Sequence, residues 1–435
     1  MRLLVIGSGG REHALIWALQ ATARQRLELF CAPGNAGIAR LAECAPIGAN
    51  EISALARFAE ESKIDLTMVG PEAPLAAGIV DEFERRGLPI VGAGREAARL
   101  ESSKAFAKDF MRRHGIPSAR YRIASSADEA VTILQSGEFG SEEVPVVVKA
   151  DGLAAGKGVI VSATRAAAIQ GVRDLCGGAV DAEAARRIVI EETLSGHEVS
   201  LLLFSDGKDF RLMPAARDHK RVGEGDAGPN TGGMGSITDA SLLDDATREL
   251  IVREIVEPTL NGCRNEGFPF RGILFIGLMM TSTGPHVLEY NVRFGDPETQ
   301  AILVRLESDL SQILQAISEG RLGEIEIKWS PDSSACVVLA ARGYPGKPEI
   351  GSLVQGLDRA TEHEHVAVFH AATSRGENGE WLTAGGRVLG VTGTGETLDL
   401  ALSRCYEAVG DISWEGMHYR RDIGRGDRAE PAASP

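Results

Sequence analysis

The chain has 435 residues, 43% of them apolar and 25% charged, with a formal net charge of −15. That length holds roughly two to four domains with full hydrophobic cores. The acidic balance argues against a general nucleic-acid binder, which needs clustered Lys and Arg to neutralise phosphates, but small phosphorylated ligands need only a local basic pocket. Cys31, Cys44, Cys176, Cys263, Cys336 and Cys405 are scattered without a C-x-x-C pair. A zinc site or disulfide framework is therefore not expected, and a cytoplasmic, reducing location is. The apolar run before Gly7 is too short for a signal-peptide core. No apolar stretch reaches membrane-spanning length, so no membrane partner is expected.

Leu3 to Ile6 reads as a buried strand, Gly7-Ser8-Gly9-Gly10 as a turn, and Ala14, Leu15, Ala18 and Leu19 as one face of a helix that begins near Arg11. Leu66 to Val69 predicts a second strand, followed by a helix through Ile79 and Phe83, and Pro89 to Gly92 a third. Alternating strands and helices imply a doubly wound parallel sheet over the first hundred residues. A helix capped by Ser102 carries Phe106, Phe110 and Met111 and stops at Gly115. Val144 to Ala150 and Val159 to Val161 are strands joined by the glycine-rich loop Asp151 to Gly158, and Ile188 to Glu192 and Val199 to Phe204 are two more. Asp218 to Gly235 reads as a long irregular loop, a kind of segment that usually serves function. Ile273 to Thr281 and His286 to Val292 predict a hairpin, with a helix through Ile302, Leu306 and Leu310 after it. Strands at Ala335–Ala341, His365–His370 and Arg387–Thr392, then a helix at Leu398–Ala408, predict a small C-terminal α+β domain before a polar tail expected to be disordered.

Several segments carry residues suited to chemistry. Lys149 ends a strand, and Gly152, Gly156, Lys157 and Gly158 follow in the loop. Glycines let backbone amides approach phosphates, and two ammonium groups offset triphosphate charge. The loop is not a Walker motif, and an ordinary flexible hairpin reads the same way. Glu289, Asn291 and Arg293 alternate along a strand and so share a face, with Leu288, Tyr290 and Val292 on the other. A carboxylate and an amide oxygen suit Mg²⁺, and the Arg suits a phosphoryl group in transfer; the alternative is a solvated polar face. Glu191 and Glu198 flank a turn as adenine- and ribose-edge candidates, or as a plain acidic hairpin. Asp218 to Arg221, leading to Gly228–Gly235, can hold a small zwitterion, or form a basic surface turn. Gly9, Gly10, Arg11 and Glu12 at the first helix form an anion site, or the remnant of a dinucleotide motif whose third glycine is missing.

Taken in order, Gly9-Gly10-Arg11-Glu12-His13-Ala14, Gly70-Pro71-Glu72-Ala73-Pro74-Leu75, Lys149 to Val159, Asp218-His219-Lys220-Arg221, Gly228 to Gly235, Glu289 to Gln300 and Gly385 to Gly390 resemble the glycinamide ribonucleotide synthetase family. The matching pieces span almost the whole chain. The resemblance implies an N-terminal α/β domain (1–103), an ATP-grasp core (104–328) with an inserted lid at about 125–190, a C-terminal domain (329–423) and a tail (424–435). It implies ATP-driven joining of glycine to 5-phosphoribosylamine through glycyl phosphate, as in purine biosynthesis. It assigns Lys104, Lys149 and Lys157 to phosphates, Glu191 and Leu194 to adenine and Glu198 to ribose. Glu289 and Asn291 would take Mg²⁺ or Mn²⁺. Gly9, Gly10, Arg11, Glu12, Glu72 and Arg387 would line the phosphoribosylamine site. Asp218, Asn230 and Gly233 fall in the segment that would take glycine, with Arg293, Lys157 and Asp218 as the catalytic set. The sequence departs from the family at Ser236-Ile237-Thr238-Asp239, Thr193 and His197, and Leu278 stands where several related enzymes place a metal carboxylate. Rival readings are another ATP-grasp ligase, a nicotinamide dehydrogenase, and a nucleotide-binding regulator without turnover.

Overall fold

The fold comes from a computed structural model, which describes residues 1–153, 158–179 and 184–425. Gly156, Lys157 and residues 426–435 of the expected tail lie outside the described residues.

The N-terminal sheet is parallel throughout, in the order Glu43–Cys44, Glu28–Pro33, Arg2–Gly7, Leu66–Val69, Ile90–Val91. Its central strand runs Leu3 to Ile6 without a polar residue, as a strand covered on both faces must. Glu28–Pro33 was not legible as a strand, because it has no β-branched residue and ends in proline. The helix expected through Ile79 is two pieces, Glu72–Ala76 and Ile79–Arg85, broken at Gly78 with φ of 88°. One face of the sheet shares a core with Phe110, Ile276 and Tyr290, and the other with Phe204, Ile302 and Leu310. The domain is thereby welded onto the central sheet rather than tethered to it.

A separate antiparallel sheet, ordered Tyr121–Ala124, Ile188–Glu192, Val146–Ala150, Val159–Ser162, carries the helices Ala127–Gln135 and Arg165–Asp174. Val146, Val148, Ile188, Ile190, Val172 and Leu134 form its own apolar cluster. It spans the segment expected as a lid, and a unit with its own core can shift without unfolding its neighbours.

The large antiparallel sheet runs Gly284–Asn291, Arg271–Thr281, His197–Asp206, Ala216–Asp218, Gly235–Thr238, Ser333–Ala340, Arg387–Gly395, Val366–His370. The C-terminal strands therefore continue the core sheet: Gly235 pairs with Val337 and Ile237 with Ala335. The loop expected from Asp218 to Gly235 contains a hairpin, Arg221–Gly223 with Ala227–Asn230. The helix expected through Leu306 is also two, Glu298–Leu303 and Leu310–Glu319, because Asp309 caps a new start by accepting from Ser311 N.

Ser103, not Ser102, caps the helix Lys104–Arg113: its Oγ accepts from Phe106 N at 3.1 Å and donates to Asp151 Oδ1 at 2.9 Å. Ser102 is the last residue of the preceding helix, Arg95–Ser102. Replacing a cap of this kind costs about 1–2 kcal/mol. Ser103→Ala should lower the unfolding free energy by that amount in urea titration, and an unchanged midpoint would show that the Asp151 carboxylate, which also accepts from Ala105 N, caps the helix alone.

Candidate functional site

A cavity of about 440 Å³ opens where the N-terminal sheet, the small sheet and the large sheet meet. Arg11, Glu72, Lys104, Lys149, Gly152, Gly158, Glu191, Asp218, Glu289, Asn291, Arg293 and Arg387 all line it. Residues far apart in sequence, from the first helix to the C-terminal domain, thus converge on one space. Asn230, Leu194 and Glu198 are not on its wall. Glu198 is instead bonded to Lys220 Nζ at 2.7 Å.

One wall is cationic. Lys104 Nζ donates to Gly152 O at 2.9 Å, and burial lowers its pKa. Lys149 Nζ lies 2.9 Å from Glu191 Oε1 and donates to Leu288 O at 3.2 Å. Leu288 was expected on the opposite face from Glu289. A bulge opposite Gly277 and Leu278 breaks the alternation and brings Leu288 to the cavity, while Glu289, Asn291 and Arg293 stay on that side as expected.

The facing wall is acidic. Burial pushes the Asp218 carboxyl well above its ordinary value, against the pull of Lys220 and reinforced by Glu298, Glu198 and Glu289. Glu298 is raised for the same first reason. Burial also works against charge at Glu289, but Lys220, Lys149 and Lys104 outweigh it and hold that carboxyl below the usual range. Lys220 Nζ is 4.0 Å from Glu289 Oε1, so the carboxylate is not consumed by a close ion pair. The wall is short of positive charge, which a bound cation would supply. Among the described residues no group of three His, Cys, Asp or Glu could hold a metal ion. The Glu289–Asn291 oxygen pair fits a hard cation that completes its shell with ligand oxygens.

The third part is the turn Phe294-Gly295-Asp296, to which three arginines are tied. Arg11 Nη1 and Arg293 Nη1 each donate to Phe294 O at 3.0 Å. Arg387 Nη1 donates to Asp296 O at 2.7 Å and to Gly232 O at 2.5 Å, and its Nη2 stands 3.1 Å from Asp296 Oδ2. Arg293 is further held by Glu101 at 2.9 Å and Glu72 at 3.3 Å. Glu101 and Lys108 line the cavity but stood outside every expected site segment, while Lys220, Asp296 and Glu298 lay in such segments without an assigned role. Lys108 had a readable signal, four residues after Lys104 on one helix face. Glu101 had none, since its role depends on contact with Arg293 and Val292 N.

The first helix does not present Glu12 to the cavity. Glu12 is buried, accepts from Gly9 N at 2.6 Å and pairs with Arg11 at 2.7 Å. It braces the glycine turn and aims Arg11. A side-chain carbon at Gly7 or Gly70 would collide with its carboxylate arm, and one at Gly10 would come 2.7 Å from Gln300 Nε2. Gly233, at φ of 109°, likewise abuts Pro297.

Residues 1–101, 102–299 and 334–426 match, in that order, the N domain, the ATP-grasp (A) domain and the C domain of phosphoribosylglycinamide synthetase. The chain belongs to the phosphoribosylglycinamide synthetase family. Similar relatives of this family are the phosphoribosylamine–glycine ligases of Xylella fastidiosa (strain Temecula1), 46% identical over 98% of this chain and 97% of that one, and of Vibrio cholerae serotype O1, 46% identical over 98% of each. The solved phosphoribosylamine–glycine ligase of Thermotoga maritima superposes with a TM-score of 0.82 at 35% identity, over 97% of this chain and 100% of that one. The biotin carboxylase domain of Hydrogenobacter thermophilus 2-oxoglutarate carboxylase shares the fold, with a TM-score of 0.73 at 16% identity over 96% of this chain and 91% of that one. Membership of an ATP-grasp ligase family implies the use of ATP. No helix among the described residues is long and apolar enough to cross a membrane.

Gly70→Ala should displace Glu12 and with it Arg11. Overpacking of this kind costs about 1–3 kcal/mol. A calorimetric melt with an unchanged midpoint would show that Glu12 has room to move and braces nothing.

Proposed function

We propose that this chain joins glycine to 5-phosphoribosylamine with ATP, giving glycinamide ribonucleotide, ADP and phosphate, the reaction of de novo purine biosynthesis. The observation that carries the reading is the single cavity in which a cationic wall, an acidic wall and an arginine-bound turn from three domains face one another.

A carboxylate is a poor electrophile, so one of its oxygens must first become a leaving group. A glycine carboxylate oxygen attacks the γ-phosphorus of ATP, the bond to the β-γ bridging oxygen breaks, and ADP leaves. The amine of phosphoribosylamine then attacks the acyl carbon of glycyl phosphate, loses a proton, and phosphate departs. No covalent enzyme intermediate is needed; the protein positions groups and balances charge.

Lys104 and Lys149 meet the phosphates, joined by Lys157 and the glycine loop around Gly152, Gly156 and Gly158. Glu289 and Asn291 would hold Mg²⁺ or Mn²⁺, which would supply positive charge to phosphate oxygens there. Asp218 sits among carboxyls that favour a cation and takes the glycine ammonium. Arg293, clamped by Glu72 and Glu101, supplies fixed positive charge beside Asn291. Phosphoribosylamine lies toward Arg11, Glu72 and Arg387, beside the Gly9-Gly10 turn that Glu12 braces. The small sheet closes over the acyl phosphate and keeps water out.

Glu289→Ala should cut glycine-dependent ADP release by about 10²–10³-fold or more with a normal melting curve; near-normal turnover would remove the metal assignment. Arg387→Met should raise KM for phosphoribosylamine by at least about tenfold, the loss of one charge-assisted contact. An equal rise in KM for ATP instead would place Arg387 outside the acceptor site.

A further inference from the structure

The cavity wall holds an ion cluster of which the reaction scheme uses Lys149 alone. Glu191 is 2% exposed, and each of its oxygens faces a lysine: Oε1 lies 2.9 Å from Lys149 Nζ and Oε2 lies 2.9 Å from Lys108 Nζ. Lys108 is also 2% exposed and has no aligned hydrogen-bond partner for its ammonium, so its attachment to the site is electrostatic and runs through Glu191. Lys104 and Lys108 sit one turn apart on the same helix, so that helix sends one cation to the phosphate loop and one to Glu191.

The two lysines differ in freedom. Both line the cavity, but Lys149 is 8% exposed and also reaches Leu288 O beside Glu289, whereas Lys108 is 2% exposed and is held by Glu191. An arriving triphosphate pulls Lys149 toward itself. Were Lys149 the sole counterion, that pull would strip a buried carboxylate of its partner, a loss that costs several kcal/mol. A second, permanent counterion removes the penalty.

We propose that Lys108 is a positioning residue for ATP: by holding Glu191 permanently neutralised, it lets Lys149 exchange its bond to Glu191 for one to the phosphates. Burial works against charge at Glu191, but Lys149 and Lys108 outweigh it and hold the carboxyl below its usual range. Burial likewise lowers the Lys108 ammonium, to about 8, with Glu191 opposing the shift, so the lysine carries its proton at neutral pH. The net charge of the cluster is one positive unit, and that unit is the one delivered to the ligand. The inference rests on the reading that Lys149 meets ATP phosphates.

The test compares Lys108→Met, Glu191→Gln, the double variant and Lys149→Met, each by steady-state KM for ATP, KM for glycine, kcat and thermal melting. Lys108→Met should raise KM for ATP by at least about tenfold, with KM for glycine within about twofold of the parent. Adding Glu191→Gln should bring much of that affinity back, because the amide no longer needs a counterion and Lys149 is released. A double variant whose loss is the product of the two single losses, or a Lys108→Met enzyme with unchanged KM for ATP, overturns the proposal. A Lys108→Met chain that melts early but shows no change in KM also overturns it, since the lysine is then a packing residue. Should Lys149→Met leave KM for ATP unchanged, the phosphate reading of Lys149 has failed first, and the proposal falls with it.

Discussion

The structure depends on how the turn Phe294-Gly295-Asp296 gathers charge. Its two carbonyls and one carboxylate accept from Arg11 of the first helix, Arg293 of the core and Arg387 of the C-terminal domain. Guanidinium groups keep their charge under burial and offer several donors in a plane, so each can serve a main-chain carbonyl and a carboxylate together. Three domains are located relative to one another by bonds that meet within three residues. The same arginines line the cavity, so the device that fixes the domains also fixes the positive field seen by an anionic substrate.

Buried charge on this scale is tolerated only when it is matched. Glu72, Glu101 and Asp296 answer the arginines, and Glu191 answers two lysines. The exception is the patch of Asp218, Glu289 and Glu298, where Lys220 is the nearby cation and two of the carboxyls have raised pKa values. An imbalance inside an otherwise balanced site marks where ligand charge belongs.

Much of this was legible in the residues. The strand run Leu3 to Ile6, the β-branched strand ending at Lys149 and the alternation of Glu289, Asn291 and Arg293 depend on local pattern, and local pattern survives folding. What was not legible depends on partners distant in the chain. Glu12 looked like a ligand group because it follows two glycines, yet its contacts are with Gly9 and Arg11. Leu288 changed sides because a bulge is specified by the neighbouring strand, not by its own. Ser103 displaced Ser102 as a cap because Asp151, at the end of a strand of the small sheet, fixes its hydroxyl. The small C-terminal α+β domain was legible, but nothing local to Ser333–Ala340 announces that its neighbour is Gly235–Thr238 of the core sheet.

That continuity has a consequence for motion. The loop that brings Thr231 and Gly232 to the cavity lies between two strands of the core sheet and is held by Arg387. Arg420 reinforces it from the end of the chain, bonding Asp226 Oδ1 at 2.6 Å and Arg221 O at 3.1 Å in the hairpin just before it. This part of the cavity wall is held in place: its flanking strands belong to the core sheet, and Arg387 and the buried Arg420 strap the segment between them. The small sheet, which keeps its own apolar cluster, is free of that constraint. A reaction that must admit a triphosphate and then exclude water needs one wall that moves and one that does not. The division of hydrophobic cores, rather than any single loop, assigns those two parts.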